Sequence, residues 1–253
     1  MSGAHLRLAV AGPRATITLD RPDKGNMLEA ADFDHLRALL DRVDDDEALR
    51  VAVLTGAGDK VFCAGFAHGD VQTTDWRDNP IEKAVTRLED LRLPTVCALN
   101  GPVHGAAGDL ALACDFRIGV AGMRLMMPAA RLGVMYNVGG MRRLAARLGP
   151  GPARRLLLAA EEIDADELLR VGYLDWLVPP GDLVARTDAL VETLAGLAPR
   201  AVQGMKRALV EISRGTLDAV RVADEILQTF ASEDLAEGLK AFAEKRKPRF
   251  TGN

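Results

Sequence analysis

The 253-residue chain has little aromatic material, three cysteines and no excess of positive charge. Cys63, Cys97 and Cys114 stand among apolar or small residues with no pairing pattern. That excludes a disulfide scaffold and reads as reduced thiols in a reducing compartment. There is no CxxC pair and no His/Cys cluster, so no metal site is expected. Lys and Arg number 32 against 36 Asp and Glu, a formal net charge of -4. With no basic surplus to neutralise phosphates, nucleic acid is excluded as the main partner, while a small anionic ligand needs only a few local cations. No apolar run is long enough to span a bilayer, and residues 1–8 lack the apolar stretch of a signal peptide. The expectation is a cytoplasmic protein with no membrane partner.

What is present suits a globular protein with a sizeable core: 48% of residues are apolar and 27% charged. The length fits one large domain, or a main domain with a smaller appendage. Residues 6–11 and 15–19 read as strands around the Gly12-Pro13 turn signal. From residue 29 to 46, Phe33, Leu36, Leu40 and Val43 recur at helical spacing. Val51–Thr55 and Thr95–Leu99 are continuous apolar runs, as for strands buried on both faces. Residues 62–64 read as another short strand. Ile81, Ala84, Val85, Leu88 and Leu91 predict a helix that stops before Pro94, and the Gly/Ala-rich residues 105–114 predict a closely packed one. This alternation supports βαβ units in an α/β core. After about residue 140 the pattern is almost wholly helical. Asp164 and Glu167 resemble a capping box with Asp164 as N-cap. Pro179-Pro180-Gly181 marks the strongest boundary, and helices are predicted near 182–197, 200–213, 216–231 and 233–245.

Two segments carry the chemistry. One is Val53-Leu54-Thr55-Gly56-Ala57-Gly58, followed by Phe62-Cys63-Ala64-Gly65-Phe66-Ala67-His68. The other is Asn100-Gly101-Pro102-Val103-His104-Gly105-Ala106-Ala107-Gly108-Asp109-Leu110-Ala111-Leu112-Ala113-Cys114-Asp115. Each puts small residues after a buried strand, and the second runs into a helix start with its free N–H groups. Such donors suit a group whose oxygen gains negative charge during reaction. Ordinary βα turns would also use these glycines, and it is the pair that points to function.

With both segments in place, the chain resembles the crotonase superfamily of enoyl-CoA hydratases and isomerases. The likeness runs from Arg21-Pro22 through Leu132-Gly133 and Gly139-Gly140-Met141-Arg142-Arg143-Leu144. It continues to Glu237-Gly238 and the closing Ala241-Phe242-Ala243-Glu244-Lys245-Arg246-Lys247-Pro248. The resemblance implies an α/β spiral of repeated ββα units over residues 1–180 and a helical trimerisation region over 181–253, giving a homotrimer or homohexamer. It implies an acyl-CoA substrate, with coenzyme A present only as part of the thioester and no permanently bound cofactor. The oxyanion donors would be the backbone N–H groups of Phe66 and Ala106. Coenzyme A would lie along Ala64, Ala67 and His68 and near Lys24 and Met27. Phe242 and Lys245 match the C-terminal pair that many members lend to a neighbouring subunit, the lysine reaching a CoA phosphate.

The sequence departs from the family at the acid–base stations. The first matches Asp109, one methylene short of glutamate. The second matches Ala129, which has no proton to give. A third, acidic in some branches, matches Asn137. Losing a general acid–base group commonly costs about 10²–10⁴ in rate, so weak or atypical hydratase activity is expected. Asp109 is then the carboxylate left as base or orienter, with Tyr136 a donor, while His68 and His104 read as packing or ligand-lining residues. Asp115 is expected to cap a turn. Tyr136-Asn137 resembles a pair in methylmalonyl-CoA decarboxylase, although Phe66 stands where that enzyme has histidine. Malonyl-type decarboxylation therefore stays open, as does an acyl-CoA-binding protein without turnover.

Overall fold

The computed structural model describes residues 5–253, apart from the side chain of His68; the first four residues lie outside the described part of the chain. Strands β1 (Leu6–Ala11) and β2 (Arg14–Leu19) form an antiparallel hairpin from Leu6↔Leu19 to Ala11↔Arg14. Alternate residues Ala15, Ile17 and Leu19 of β2 turn into the core. Helix α1 (Ala30–Asp45) buries Phe33, Leu36, Leu40 and Val43, the spacing read from the sequence. It starts at a reciprocal capping box between Glu29 and Asp32.

From here the chain winds. Strand β3 (Val51–Gly56) is followed by residue Cys63 and helix α2 (Pro80–Glu89). Strand β4 (Thr95–Leu99) is followed by β5 (Val103–His104) and α3 (Ala106–Leu112). Strand β6 (Phe116–Val120) is followed by β7 (Arg124–Met126) and α4 (Val138–Leu148). The first strand of each turn joins one sheet, ordered β1-β2-β3-β4-β6-β9, parallel beyond the hairpin. Its last strand, β9, spans Trp176–Val178. The second position of each turn joins another layer, where Cys63 bridges Val103 of β5, β5 pairs with β7, and β7 pairs with β8 (Ile163–Asp164). This is the ββα spiral. Every residue of β4 is buried, which suits a strand covered on both faces.

Three local expectations are corrected. Residues 62–64 form only a single bridge at Cys63, not a strand. The stretch after residue 140 is not almost wholly helical. Besides α4, α5 (Pro150–Leu157) and α6 (Ala165–Arg170), it contains β8 and β9, two and three residues long and too short to show a period. Asp164 does cap α6, accepting from Glu167 N–H at 2.9 Å, but the Glu167 carboxylate turns to Arg155 and Arg170 instead of closing the box.

The C-terminal helices are α7 (Leu183–Ala195), α8 (Pro199–Arg214), α9 (Ala219–Phe230) and α10 (Glu233–Ala243). Helix α7 buries Leu183, Leu190, Val191 and Leu194. Helix α8 is pinned by Lys206, whose buried Nζ donates to Leu93 O at 2.7 Å and lies 2.8 Å from Asp115 Oδ2. Asp115 also accepts from the backbone and hydroxyl of Thr95, so it ties β4 to α8. No helix among the described residues is long and apolar enough to cross a membrane.

Candidate active site

The two glycine-rich segments meet. Phe62 N–H donates to Pro102 O and His104 N–H to Cys63 O, which lays one segment along the other. At Gly65 (φ +92°) the chain turns away. Leu28 N–H then donates to Gly65 O and Ala67 N–H to Leu28 O. In a parallel bridge of this kind the flanking residues bond the partner, so the N–H of the central residue, Phe66, faces the other way. A Cβ on Gly65 would lie 2.7 Å from His104 O and 3.7 Å from Ala106 N. Only glycine fits that approach and that φ.

On the other segment, Gly105 (φ 54°, ψ -123°) donates to Met126 O at 2.8 Å and swings the chain into α3. Ala106 is the first residue of that helix, where an N–H has no intrahelical acceptor. Among the described residues, neither Phe66 N–H nor Ala106 N–H donates to another group. The Phe66 ring packs between Phe33 and Trp76, with centroids at 6.0 and 5.7 Å. Neighbouring Cys63 is not a nucleophile. Burial pushes its thiol up to about 12, and Sγ donates to Asn26 O at 3.0 Å.

One turn after Ala106, Asp109 is 0% exposed and gripped by Arg143. Nε reaches Oδ1 at 2.6 Å and Nη2 reaches Oδ2 at 2.9 Å, a two-pronged guanidinium–carboxylate pair. Burial alone would lower the Arg143 guanidinium, yet the bonds and charges of Asp109 and Glu89 raise it above its ordinary value. Arg143 is thus a fixed cation. Glu89 also takes bonds from Arg142 and Arg214. Tyr136 is half-buried, its hydroxyl 3.4 Å from Gly105 O. Desolvation and the charge of Asp109 push the phenol well above its usual range, so it stays protonated. Asn137 serves the backbone, since as N-cap of α4 its Oδ1 accepts Gly140 N–H at 2.6 Å. Ala129 lies half-buried in the one-turn helix Pro128–Leu132.

Lys24, Met27, Ala64 and Ala67 come together. Ala64 N–H donates to Gly25 O at 2.8 Å, and the Leu28 bridge holds Ala67. Lys24 and Ala64 are exposed, Met27 is half-buried and Ala67 is buried. The side chain of His68, assigned to the same strip, lies outside the described residues. Among the described residues, no hydrogen bond, ion pair or ring contact joins Phe242 or Lys245 to this strip. They sit at the end of α10, Phe242 with 86% of its surface exposed. His104 is half-buried and contributes its backbone to the crossing. A cluster of His5, Glu29 and Asp32 has ligand atoms close enough for a cation. Its carboxylates are occupied by the α1 capping box and by Arg21, so its chemistry is that of a helix start.

Sequence reasoning missed Arg143 as the partner of Asp109, and it missed Glu82. Glu82 Oε1 accepts Gly139 N–H at 2.9 Å, on the start of α4. No local signal marks either, since both partners lie far away along the chain.

The enoyl-CoA hydratase/isomerase family model matches residues 14–253. The chain belongs to the enoyl-CoA hydratase/isomerase family. Among curated relatives, a carnitinyl-CoA dehydratase of Proteus mirabilis (strain HI4320) is 33% identical over 262 residues, covering 98% of each protein. A short-chain-enoyl-CoA hydratase of Clostridium acetobutylicum is 30% identical over 243 residues, covering 93% of each. The crystal structure of an enoyl-CoA hydratase from Bacillus anthracis superposes with a TM-score of 0.88 at 29% identity, covering 98% of this chain and 100% of that one. The spiral is therefore the crotonase fold, and the chain is an acyl-CoA enzyme of this family.

Proposed function

We propose that the chain acts on an acyl-CoA thioester through an enolate, as a hydratase or isomerase with a reduced acid–base set. The carrying observation is the pair of uncommitted N–H groups, on Phe66 and Ala106, in segments that touch at Gly65. A thioester oxygen accepting both would be held as the bond to a Cα proton breaks and charge moves onto that oxygen. Losing one such donor costs about 10²–10³ in rate. The strip of Lys24, Met27, Ala64 and Ala67 gives coenzyme A a shelf beside those donors, with a cation at its rim. Water addition is expected to be weak, because Ala129 offers no acid and Arg143 occupies both oxygens of Asp109.

In this reading residues 1–180 carry the site, and residues 181–253 drive assembly into a trimer or hexamer through helices α8–α10. Phe242 and Lys245 would then serve a neighbour's coenzyme A. The bare apolar face of α9 supports this, since the helix has no buried residue in the single chain.

A second reading, malonyl-type decarboxylation, is favoured by the protonated Tyr136 beside Gly105, because loss of CO₂ needs no base and a phenol can orient the departing carboxylate. A panel of crotonyl-CoA, 3-hexenoyl-CoA and methylmalonyl-CoA, analysed by mass spectrometry, separates the readings. Conversion of either enoyl ester supports the first. Loss of CO₂ from the malonyl ester alone, stopped by Tyr136→Phe, would replace it with the second. Tight binding of all three with no turnover leaves a binding protein.

A further inference from the structure

We infer that Glu82 is the proton-shuttling carboxylate of this site, moving a proton between Cα and Cγ of an enoyl thioester. The inference rests on the acyl-CoA reading above and deepens it to isomerisation by one base.

Two carboxylates flank the start of α4, and their environments differ. Asp109 gives both oxygens to the Arg143 fork and is fully buried. Using it as a base would mean breaking a buried, hydrogen-bonded ion pair at every turnover. Glu82 is half-buried. Its Oε1 accepts Gly139 N–H, while Oε2 makes no hydrogen bond or ion pair among the described residues. Helix α2 fixes its place: Asn79 Oδ1 accepts from Ile81 N–H at 3.0 Å and Glu82 N–H at 3.2 Å, with Pro80 as the first helical residue.

The neighbouring glycines show how close these groups stand. A Cβ on Gly139 would lie 2.9 Å from Glu82 Oε1 and 3.0 Å from Arg143 Nη2. A Cβ on Gly140 would lie 2.8 Å from Asp109 Oδ2 and would collide with the Tyr136 ring. Glu82 and Arg143 thus adjoin Gly139, while Asp109 and Tyr136 adjoin Gly140. Asp109 follows Ala106 by one turn of α3, and the Tyr136 hydroxyl faces Gly105 O. A run of near contacts thus leads from Glu82 through Gly139, Gly140 and Tyr136 to Gly105, the residue before the proposed donor Ala106, in a family site where position 129 is apolar.

The step balances without a co-reactant. Glu82 takes the Cα proton of a 3-enoyl thioester, and the C–H electron pair forms the Cα–carbonyl double bond as charge passes to the oxygen. The resulting carboxylic acid returns the proton to Cγ as the double bond moves to Cα–Cβ. One carboxylate does both halves, which fits a site where the other, Asp109, gives both oxygens to Arg143.

The test uses 3-hexenoyl-CoA and the Glu82→Gln variant. Glutamine keeps the acceptor for Gly139 N–H and removes the carboxylate, so a cap-only role predicts no change. The expected result is a loss of about 10²-fold or more in kcat, with KM and melting temperature unchanged. Glu82→Asp, which keeps the carboxylate but shortens the reach, should also lose kcat. Undiminished kcat in Glu82→Gln or Glu82→Asp would overturn the assignment. So would a rise in KM confined to particular acyl tails, which would make Glu82 a specificity residue. Wild-type hydration or decarboxylation without isomerisation would also overturn it while leaving the acyl-CoA reading intact. Absence of all turnover would remove both.

Discussion

Strand β4 and helix α9 are both rich in apolar residues, yet β4 is buried at all five positions and α9 at none of its twelve. The spiral supplies both faces of its own strands. The C-terminal helices present an apolar stripe whose complement is not in the chain: Val220 is 74% exposed, Phe230 70% and Phe242 86%. Monomeric proteins rarely leave such contiguous faces open. The difference separates residues that stabilise the protomer from residues that the protomer leaves uncovered. Substitutions should divide along the same line.

The largest effect is expected deep in the spiral. Arg143→Met would leave the Asp109 carboxyl group fully buried and without its partner, a loss of about 3–5 kcal/mol. Urea unfolding should show it, with a shift in midpoint that does not depend on protein concentration. A shift below about 1 kcal/mol would mean the pair is not what holds α3 to α4. Next comes Gly65→Val at the crossing of the two segments. Its side chain would meet His104 O and be held at a left-handed φ, disturbing the crossing of the two segments beside Ala106 N. Turnover should fall by about 10²–10³, read from single-turnover rates at saturating acyl-CoA. Full activity would remove the oxyanion assignment.

Glu89 lies between the two regions, because it joins Arg142 and Arg143 of α4 to Arg214 of α8. Burial works to raise its carboxyl, and the bonds from Arg142 and Arg214 with the charges of Arg143 and Arg142 outweigh it, leaving the group below its ordinary value. A carboxyl whose folded pKa is depressed stabilises the fold above its unfolded value, near 4.3, and that stabilisation is lost as pH falls through the folded value. Glu89→Gln should cost about 1–3 kcal/mol near pH 7. The gap to wild type should persist toward pH 5 and close below about pH 4. A gap that does not change with pH would mean that packing, not charge, matters there.

The same contrast explains what could be read from the chain itself. Phe33, Leu36, Leu40 and Val43 of α1, and the run Thr95–Leu99, have periods that local burial imposes, so α1 and β4 were legible nearly to the residue. Strand β6 drew no expectation, and β8 and β9 are defined by ladders to distant segments. The two backbone segments of the site were legible because close approach demands small residues in a row. The pairing of Asp109 with Arg143 and of Glu82 with Gly139 was not. Each joins residues far apart in sequence, and arginine or glutamate on a helix reads equally well as a solvated side chain. Asn137 matches a third station by resemblance, and the cap that its amide oxygen gives α4 was not read from the sequence.

The smallest effect on the protomer, and the sharpest test of the contrast, is expected on α9. Leu227 is 66% exposed, so Leu227→Glu should change the stability of an isolated protomer by no more than about 0.5 kcal/mol. If copies of the chain cover that face, the same change buries a charge in an apolar contact, and the assembly should fall apart. Light scattering should then give a multiple of the protomer mass for wild type and the protomer mass for the variant. The wild-type melting temperature should rise with protein concentration, as it must when association stabilises the fold, and the variant's should not. Phe242→Ala adds a second readout. If Phe242 reaches a neighbour's coenzyme A, KM for acyl-CoA should rise while the Glu82-dependent step keeps its kcat. A wild-type protein that stays monomeric at every concentration would leave the stripe on α8–α10 without the partner proposed for it, and would place Phe242 and Lys245 outside any site.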